Sequence, residues 1–378
     1  MRGKGEGSVY LAASGLWTAA VALPPDPLTG RRRRRVVRAK TKAEVVRKMR
    51  AVQLELAAAG DLPTGRAPTL AQWLTTWLER DVLPALKPST AADYRTSVER
   101  HIIPAIGSRR LDRLTAADVR ALHRAVLAKG VSPTTAAKVH RCLSRALTIA
   151  EREGLVPRNA ARLVTPPPAR TAAPAMLTAA QARAYLASRR GHQDYPRRMV
   201  SFLMGARQGE VLGMSLDHLD LDAAAPWVEL AWEVRRVTWT HGCGPRTPDG
   251  RPCARTRGAD CPDRRADVPA HLEAERVHGG LWLLRPKTVG SLRRVAVPAA
   301  LADALAEHLA QSRPTRFVFE AAPGVPIDPR RDWQEWTDGL TAAGLPHVRL
   351  HSARHTCATL LLEAGVPLRT AQEILGQT

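Results

Sequence analysis

Three short runs of apolar and β-prone residues open the chain, at residues 8–11, 16–23 and 31–40. Ser14-Gly15 and the Pro/Gly-rich stretch 24–30 separate them as turns. From Thr41 the spacing becomes helical, with Val45, Met49, Val52 and Leu56 on one stripe. Glu44, three residues after Thr41, completes a capping-box pattern. Residues 1–60 therefore read as a β-β-β-α unit. Residues 61–68 have linker composition, and the next stretch, to about residue 161, reads as all helical. Leu70, Trp73, Leu74, Trp77 and Leu78 form its first apolar stripe. Further helices start at Pro88-Ser89-Thr90, Thr115 and Ser132-Pro133, each with N-cap or first-turn chemistry. The Trp and Leu stripes fit a core better than a base-stacking platform.

Residues 166–174, with four prolines, predict a stiff extended linker. Beyond it Thr178 caps a helix with Gln181 three residues on, and the apolar run 199–206 leads to Arg207. Strands are expected at 219–222, 227–234 and 293–297, and helices at 299–311 and 333–343. The expected class is α+β multidomain: a three-stranded sheet with a helix (1–60), an all-α domain (68–165), and a mainly helical domain with a small sheet (175–378).

Charge changes the picture. Lys and Arg number 57 against 35 Asp and Glu, a formal charge of +22. Such an imbalance favours a polyanionic partner, above all nucleic acid. A GC-rich coding bias raises Arg usage too, but it does not explain the deficit of acids. Arg31, Arg32, Arg33, Arg34 and Arg35 lie on the third strand, between a turn and a capped helix. A strand in that setting suits DNA contact better than a solvated tail does. There is no run of some 18 apolar residues, so no membrane span or membrane partner is expected, and Met1-Arg2-Gly3-Lys4 does not open a signal peptide. The five cysteines are expected as cytoplasmic, reduced thiols.

Three motifs carry candidate chemistry. His351 and Arg354 are three apart, so on a helix they share a face. Arg forks two donors onto phosphate oxygens, while His accepts or returns a proton. Alone, such a pair is more often structural. Arg207 sits in Gly205-Ala206-Arg207-Gln208-Gly209-Glu210, at a turn entering an apolar helix. Lys287 sits in Arg285-Pro286-Lys287-Thr288-Val289-Gly290, between two β-like runs.

In this order Arg207, Lys287, His351 and Arg354 resemble the catalytic pattern of the tyrosine recombinase family, the phage-type integrases. The resemblance implies a site-specific DNA recombinase that cuts and rejoins DNA through a 3′-phosphotyrosine. Arg207 and Arg354 would hold the phosphate, Lys287 would protonate the departing 5′ oxygen, and His351 would assist proton transfer. Glu210 would orient the arginines. No cofactor is required for that chemistry. Residues 1–60 then resemble an arm-binding domain and 68–165 the core-binding domain, with Lys87, Arg95, Lys138, His140, Arg141 and Arg145 as candidate phosphate contacts. The implied partners are double-stranded attachment-site DNA, a homotetramer on that DNA, and a directionality factor.

The pattern is broken at one point. Leu375-Gly376-Gln377 resembles the family's L-G-H segment, with Gln377 at its His or Trp position, and the nucleophilic Tyr would follow beyond Thr378. Tyr10, Tyr94, Tyr185 and Tyr195 lie in other contexts, so the chain is expected to stop short of its nucleophile. The alternative function is a DNA-binding remnant or regulator of recombination that cannot cut. A metal-dependent nuclease is disfavoured, since no Asp/Glu cluster accompanies the phosphate site.

One stretch, residues 239–280, lies outside the family pattern. It is rich in Gly, Pro and Arg and carries His241, Cys243, Cys253 and Cys261. One His and three Cys suit a tetrahedral structural zinc. The spacing lacks C-x-x-C knuckles, His271 and His278 compete as ligands, and unligated cysteines in a loop are the alternative.

Overall fold

The computed structural model describes residues 8–25, 32–59, 67–168, 175–244, 250–285 and 292–376. Arg31, Lys287, Gln377 and most of the two expected linkers lie outside them. Two compact units emerge: Met1–Leu83 with Thr90–Thr171, and Pro84–Ser89 with Ala172–Thr378.

In the first unit, β1 (Ser8–Leu11), β2 (Trp17–Leu23) and β3 (Arg33–Ala39) form an antiparallel sheet in that order. Helix α1 (Lys42–Ala59) packs on it. Val21, Leu23 and Val52 make one small core with Met49 and Leu56, and Ala19, Ala39 and Val45 make another. Thr41 Oγ1 accepts from the Glu44 backbone N–H at 3.3 Å. The Glu44 carboxylate pairs with Lys48 at 2.8 Å. Along β3 exposure alternates: Arg34, Val36 and Arg38 face outward, whereas Arg33, Arg35 and Val37 are half-buried.

The helices that follow obey their sequence signals. Helix α2 (Leu70–Trp77) begins in a capping box between Thr69 and Gln72, and π-helical Leu78–Val82 extends it. Helix α3 (Pro88–Thr96) runs into a second π-helical stretch, Ser97–Ile102, and then α4 (Ile103–Ile106). Neither π stretch was legible from spacing. Helix α5 (Ala116–Leu127) has a Thr115/Asp118 box, and α6 (Pro133–Arg152) has Ser132 as N-cap with Pro133 behind it. Trp73, Leu74 and Trp77 are buried, and the Trp73 indole N–H donates to Ala146 O at 3.2 Å. The tryptophans are core, as the stripes predict.

The second unit continues with α7 (Ala179–Ser188), α8 (Tyr195–Leu203) and α9 (Gln208–Leu212). The strands follow: β4 (Leu219–Asp220), β5 (Trp227–Leu230), β6 (Glu233–Arg236), β7 (Trp239–Thr240), β8 (Arg265–Ala266), β9 (Ala274–His278), β10 (Leu281–Leu284) and β11 (Arg293–Ala296). Helix α10 (Ala299–Ser312), strands β12 (Glu320–Ala322) and β13 (Val325–Pro326), and helices α11 (Pro329–Ala342), α12 (His351–Glu363) and α13 (Leu368–Leu375) complete it.

The small sheet β11–β5–β4 matches expectation, but the run 227–234 is not one strand. The chain leaves the first sheet after Leu230, and β6 enters a second, β6–β10–β9. Period-two spacing cannot reveal such a transfer, because both strands bury apolar residues. The end of the insert is also ordered, since β9 pairs with β10. Val200, Leu212, Val228, Leu301 and Phe317 join helices and sheet in the main core. Tyr185, Phe202, Trp336 and Leu340 form a second core, with ring centroids 4.7–5.9 Å apart. Among the described residues no helix is long and apolar enough to cross a membrane.

Candidate active site

The site is assembled from chain turns. After α8 the backbone turns at Gly205 with φ +57°; a Cβ there would stand 2.4 Å from Leu375 Cδ2 and 3.1 Å from Cys357 Sγ. Only glycine fits both the dihedral and the space. Arg207 then caps α9. Glu210, one turn on, accepts from the Arg207 backbone N–H at 2.9 Å and from its Nη1 at 2.6 Å. His351 opens α12, exposed, and Arg354 follows one turn later at 3 % exposure. Arg207, Glu210 and His351 line one cleft of about 560 Å³, with Gln208, Glu233 and Arg235. Arg354 lies beneath, giving Nη1–H to Gly205 O at 2.8 Å and Nη2–H to Leu375 O.

A further arginine was not expected. Arg293 on β11 donates to both Glu210 carboxylate oxygens, at 3.2 and 3.0 Å, and from Nε to Ile374 O at 2.8 Å. The available signal was its place in the strand, where it shares the inward side with Val295. Another buried network stands behind Arg207: Gln208 donates to Asp332 Oδ2 and Pro329 O, both at 2.8 Å. Asp332 also pairs with the fully buried Arg198 at 2.8 Å, and Arg198 with Asp194 at 3.0 Å.

The electrostatics favour an anion. Glu210 is the carboxylate paired to both Arg207 and Arg293, while Arg354 bonds to two carbonyls that cancel no charge. Two guanidinium groups thus share one carboxylate, and a third, Arg354, lies near enough to feel its charge. Burial opposes ionisation of Glu210, yet hydrogen bonds and charge from Arg293, followed by Arg207, hold its pKa below the ordinary value. Burial, with the charge of Arg207 next, pushes Arg354 down to about 10. Although His351 is exposed, partial desolvation, then the charges of His355, Arg354 and Arg207, holds its pKa below the ordinary value, which favours the neutral imidazole that can accept a proton.

Other expected residues fare differently. Lys287 and Gln377 lie outside the described residues; the strands flanking Lys287, β10 and β11, belong to different sheets. Lys138 and Arg141 are exposed on α6 and line a hollow with Tyr94, Ser97 and His101. His140 is no phosphate contact: it is 6 % exposed and bonds the His123 ring at 3.0 Å, facing inward on α6. Lys87, in the second unit, pairs with Glu233 at 2.9 Å. None of the four tyrosines lines the Arg207 cleft. Tyr185 is core, its phenol pushed up to about 12 by burial. Tyr195 lines a separate hollow with Glu307 and His308.

In the insert, the ligand atoms of His241, Cys243, Cys253 and Cys261 all lie within 4.8 Å of one another. His241 Nδ1 is 3.3 Å from Cys253 Sγ and 3.9 Å from Cys243 Sγ. Sulfurs around a tetrahedral zinc stand roughly 3.8 Å apart, so this donor set fits one after a small contraction. Neither His271 nor His278 is in the cluster.

The phage integrase family pattern matches residues 271–378, and that of the phage integrase central domain matches residues 70–165. The chain belongs to the phage integrase family of tyrosine recombinases. Lys287, His351 and Arg354 fall inside the first match, and Arg207 falls upstream of it. An integrase of Saccharopolyspora erythraea is 28 % identical over 98 % of this chain and 90 % of its own length. The tyrosine recombinase XerD of Neisseria meningitidis is 26 % identical over 80 % of this chain and 86 % of its own. The Tn1549 transposon integrase, solved with circular intermediate DNA, superposes with TM-score 0.62 at 16 % identity, covering 82 % of this chain and 92 % of that one. A lambda integrase tetramer on a Holliday junction gives TM-score 0.57 at 15 % identity, covering 98 % and 95 %. At such identities the structural likeness speaks for the fold, while family and relatives mark this integrase as a site-specific DNA recombinase.

Proposed function

We propose that this integrase holds a scissile DNA phosphate in the Arg207 cleft, and that the site is Arg207, Lys287, His351 and Arg354. The pairing of Arg207 and Arg293 on Glu210, with Arg354 held on carbonyls next to them and His351 in the same cleft, carries the reading. Attack on a phosphodiester builds charge on nonbridging oxygens, and paired guanidinium groups meet it at any physiological pH. Arg207 and Arg354 are the pair, His351 takes the proton from the attacking hydroxyl, and Lys287 delivers one to the departing 5′ oxygen. The attacking group is a tyrosine hydroxyl, which bonds to phosphorus as the 5′ oxygen leaves; the bond energy is kept in a 3′-phosphotyrosine. Binding of duplex DNA and assembly as a tetramer on it fit the complexes solved for the Tn1549 and lambda integrases. A directionality factor belongs to the same proposal, as do three domains, at 1–60, 68–165 and 175–378. The first presents Arg32, Arg34 and their neighbours to DNA; the second presents Lys138 and Arg141.

Residues 1–378 place no tyrosine in the cleft. A polypeptide of that extent is expected to bind duplex yet form no covalent adduct on a suicide substrate. Appending a related tail with the tyrosine segment restores the adduct, and Arg207→Ala in that chimera removes it. An adduct from residues 1–378 alone, or from the Arg207→Ala chimera, overturns the assignment.

Tyrosine recombinase chemistry needs no cofactor, and the metal proposed here is structural. His241, Cys243, Cys253 and Cys261 hold one zinc ion that staples the insert between β6 and β9. Elemental analysis then finds about one zinc per chain, lost with Cys253→Ser or Cys261→Ser. Metal-free protein with an unchanged melting curve removes the zinc.

A further inference from the structure

Three consecutive carbonyls at the end of α13 each accept from a different arginine. Ile374 O takes Arg293 Nε–H at 2.8 Å, Leu375 O takes Arg354, and Gly376 O takes Arg207 at 3.1 Å. The last carbonyls of a helix have no partner within it and mark the negative end of its dipole. Here Gly376 N–H closes the turn back onto Gln372 and Glu373, leaving Ile374 through Gly376 for the guanidinium groups. The turn is keyed in place from both sides. The buried Leu375 side chain lies against Gly205, the residue that delivers Arg207. Gly376 adopts φ +61°, and a Cβ there would stand 2.8 Å from Arg293 Nη1.

We propose that this turn is a clamp that sets Arg207 and Arg354 at the spacing one phosphate requires, with Gly376 and Arg293 as positioning residues. The proposal rests on the reading of Arg207 and Arg354 as the phosphate pair. A carbonyl suits this task better than a carboxylate does. Arginine has many rotamers to lose, and a bond to fixed backbone removes them beforehand. The carbonyls cancel no charge, so the Arg354 cation stays available to an incoming anion, whereas Arg207 shares its charge with Glu210. A carbonyl also has no pKa near neutrality, so the clamp does not open with pH. Arg293 ties the turn to Glu210 and so to the α9 cap.

The test uses residues 1–378 and inorganic phosphate, read through the NMR titration of His351. In the unaltered chain phosphate raises the His351 pKa, since an adjacent anion favours imidazolium. Gly376→Ala is expected to bind phosphate about tenfold more weakly, equivalent to one charge-assisted hydrogen bond. Gly365→Ala is the control: Gly365 has φ +78° with open space around it, so it takes the same backbone strain without meeting an arginine. The control keeps the unaltered affinity. Full phosphate affinity in folded Gly376→Ala, or an equal loss in Gly365→Ala, overturns the clamp. If Gly376→Ala does not fold, Arg293→Lys decides: it keeps the charge, loses the fork onto Glu210, and is expected to weaken phosphate binding similarly; unaltered binding overturns the clamp. If the unaltered chain shows no phosphate effect on His351, the phosphate site fails and the clamp falls with it.

Discussion

On β3, Arg34 and Arg38 stand exposed, as does Arg32 just before it, whereas Arg293 and Arg354 in the second unit are 9 % and 3 % exposed. The residue type is the same and the physics is opposite. An exposed guanidinium in high dielectric attracts any polyanion, weakly and under the control of salt. A buried one costs desolvation, and only fixed partners make the cost bearable. Glu210 and the α13 carbonyls are those partners. The first arrangement suits holding DNA along its length; the second suits gripping one phosphate in one geometry.

Removing the single shared carboxylate should have the largest effect. Glu210→Gln leaves Arg207 and Arg293 without their ion-pair partner, and breaking a buried pair typically costs about 3–5 kcal/mol. The loss should appear as a lower thermal transition for the second unit, with the first unit unmoved. A variant as stable as the unaltered chain would mean that the cluster is not electrostatically buried. The smaller effect lies on the strand. Arg34→Ala with Arg38→Ala should change stability by less than about 0.5 kcal/mol. Each arginine–phosphate pair that the substitutions remove should flatten the dependence of log affinity on log salt by about 0.9. Equal salt slopes with and without the two arginines would remove this strand from the DNA surface, while unfolding would erase the contrast with the buried cluster.

Arg293 and the α13 clamp show where reading the sequence stops. Arg207, His351 and Arg354 were legible because each sits in a short local pattern: a Gly-flanked turn, or a one-turn spacing on a helix. Arg293 has no such pattern, and its neighbour Arg294 looks identical in sequence yet points outward. The carbonyls of Ile374, Leu375 and Gly376 are invisible in principle, since every residue carries one. The cysteine cluster stands between these cases. Its donor types were countable, but the spacing gave no knuckle, and only folding brought Cys261 to His241 across twenty residues.

By itself the sequence determined what depends on near neighbours. That includes the helix starts at Thr69, Thr115 and Thr178, the apolar stripes of the helices, the basic third strand, and the order of catalytic candidates. These follow from local hydrogen bonds and from periodicity, which extend over a few residues. Tertiary structure alone decided whatever joins distant stretches. Leu230 and Glu233 part into different sheets, His140 turns inward to His123, and Arg207, Arg293 and Arg354 meet around Glu210 and the end of α13. Those choices depend on which surfaces remain to be buried once the local elements have formed, and no window along the chain contains that information.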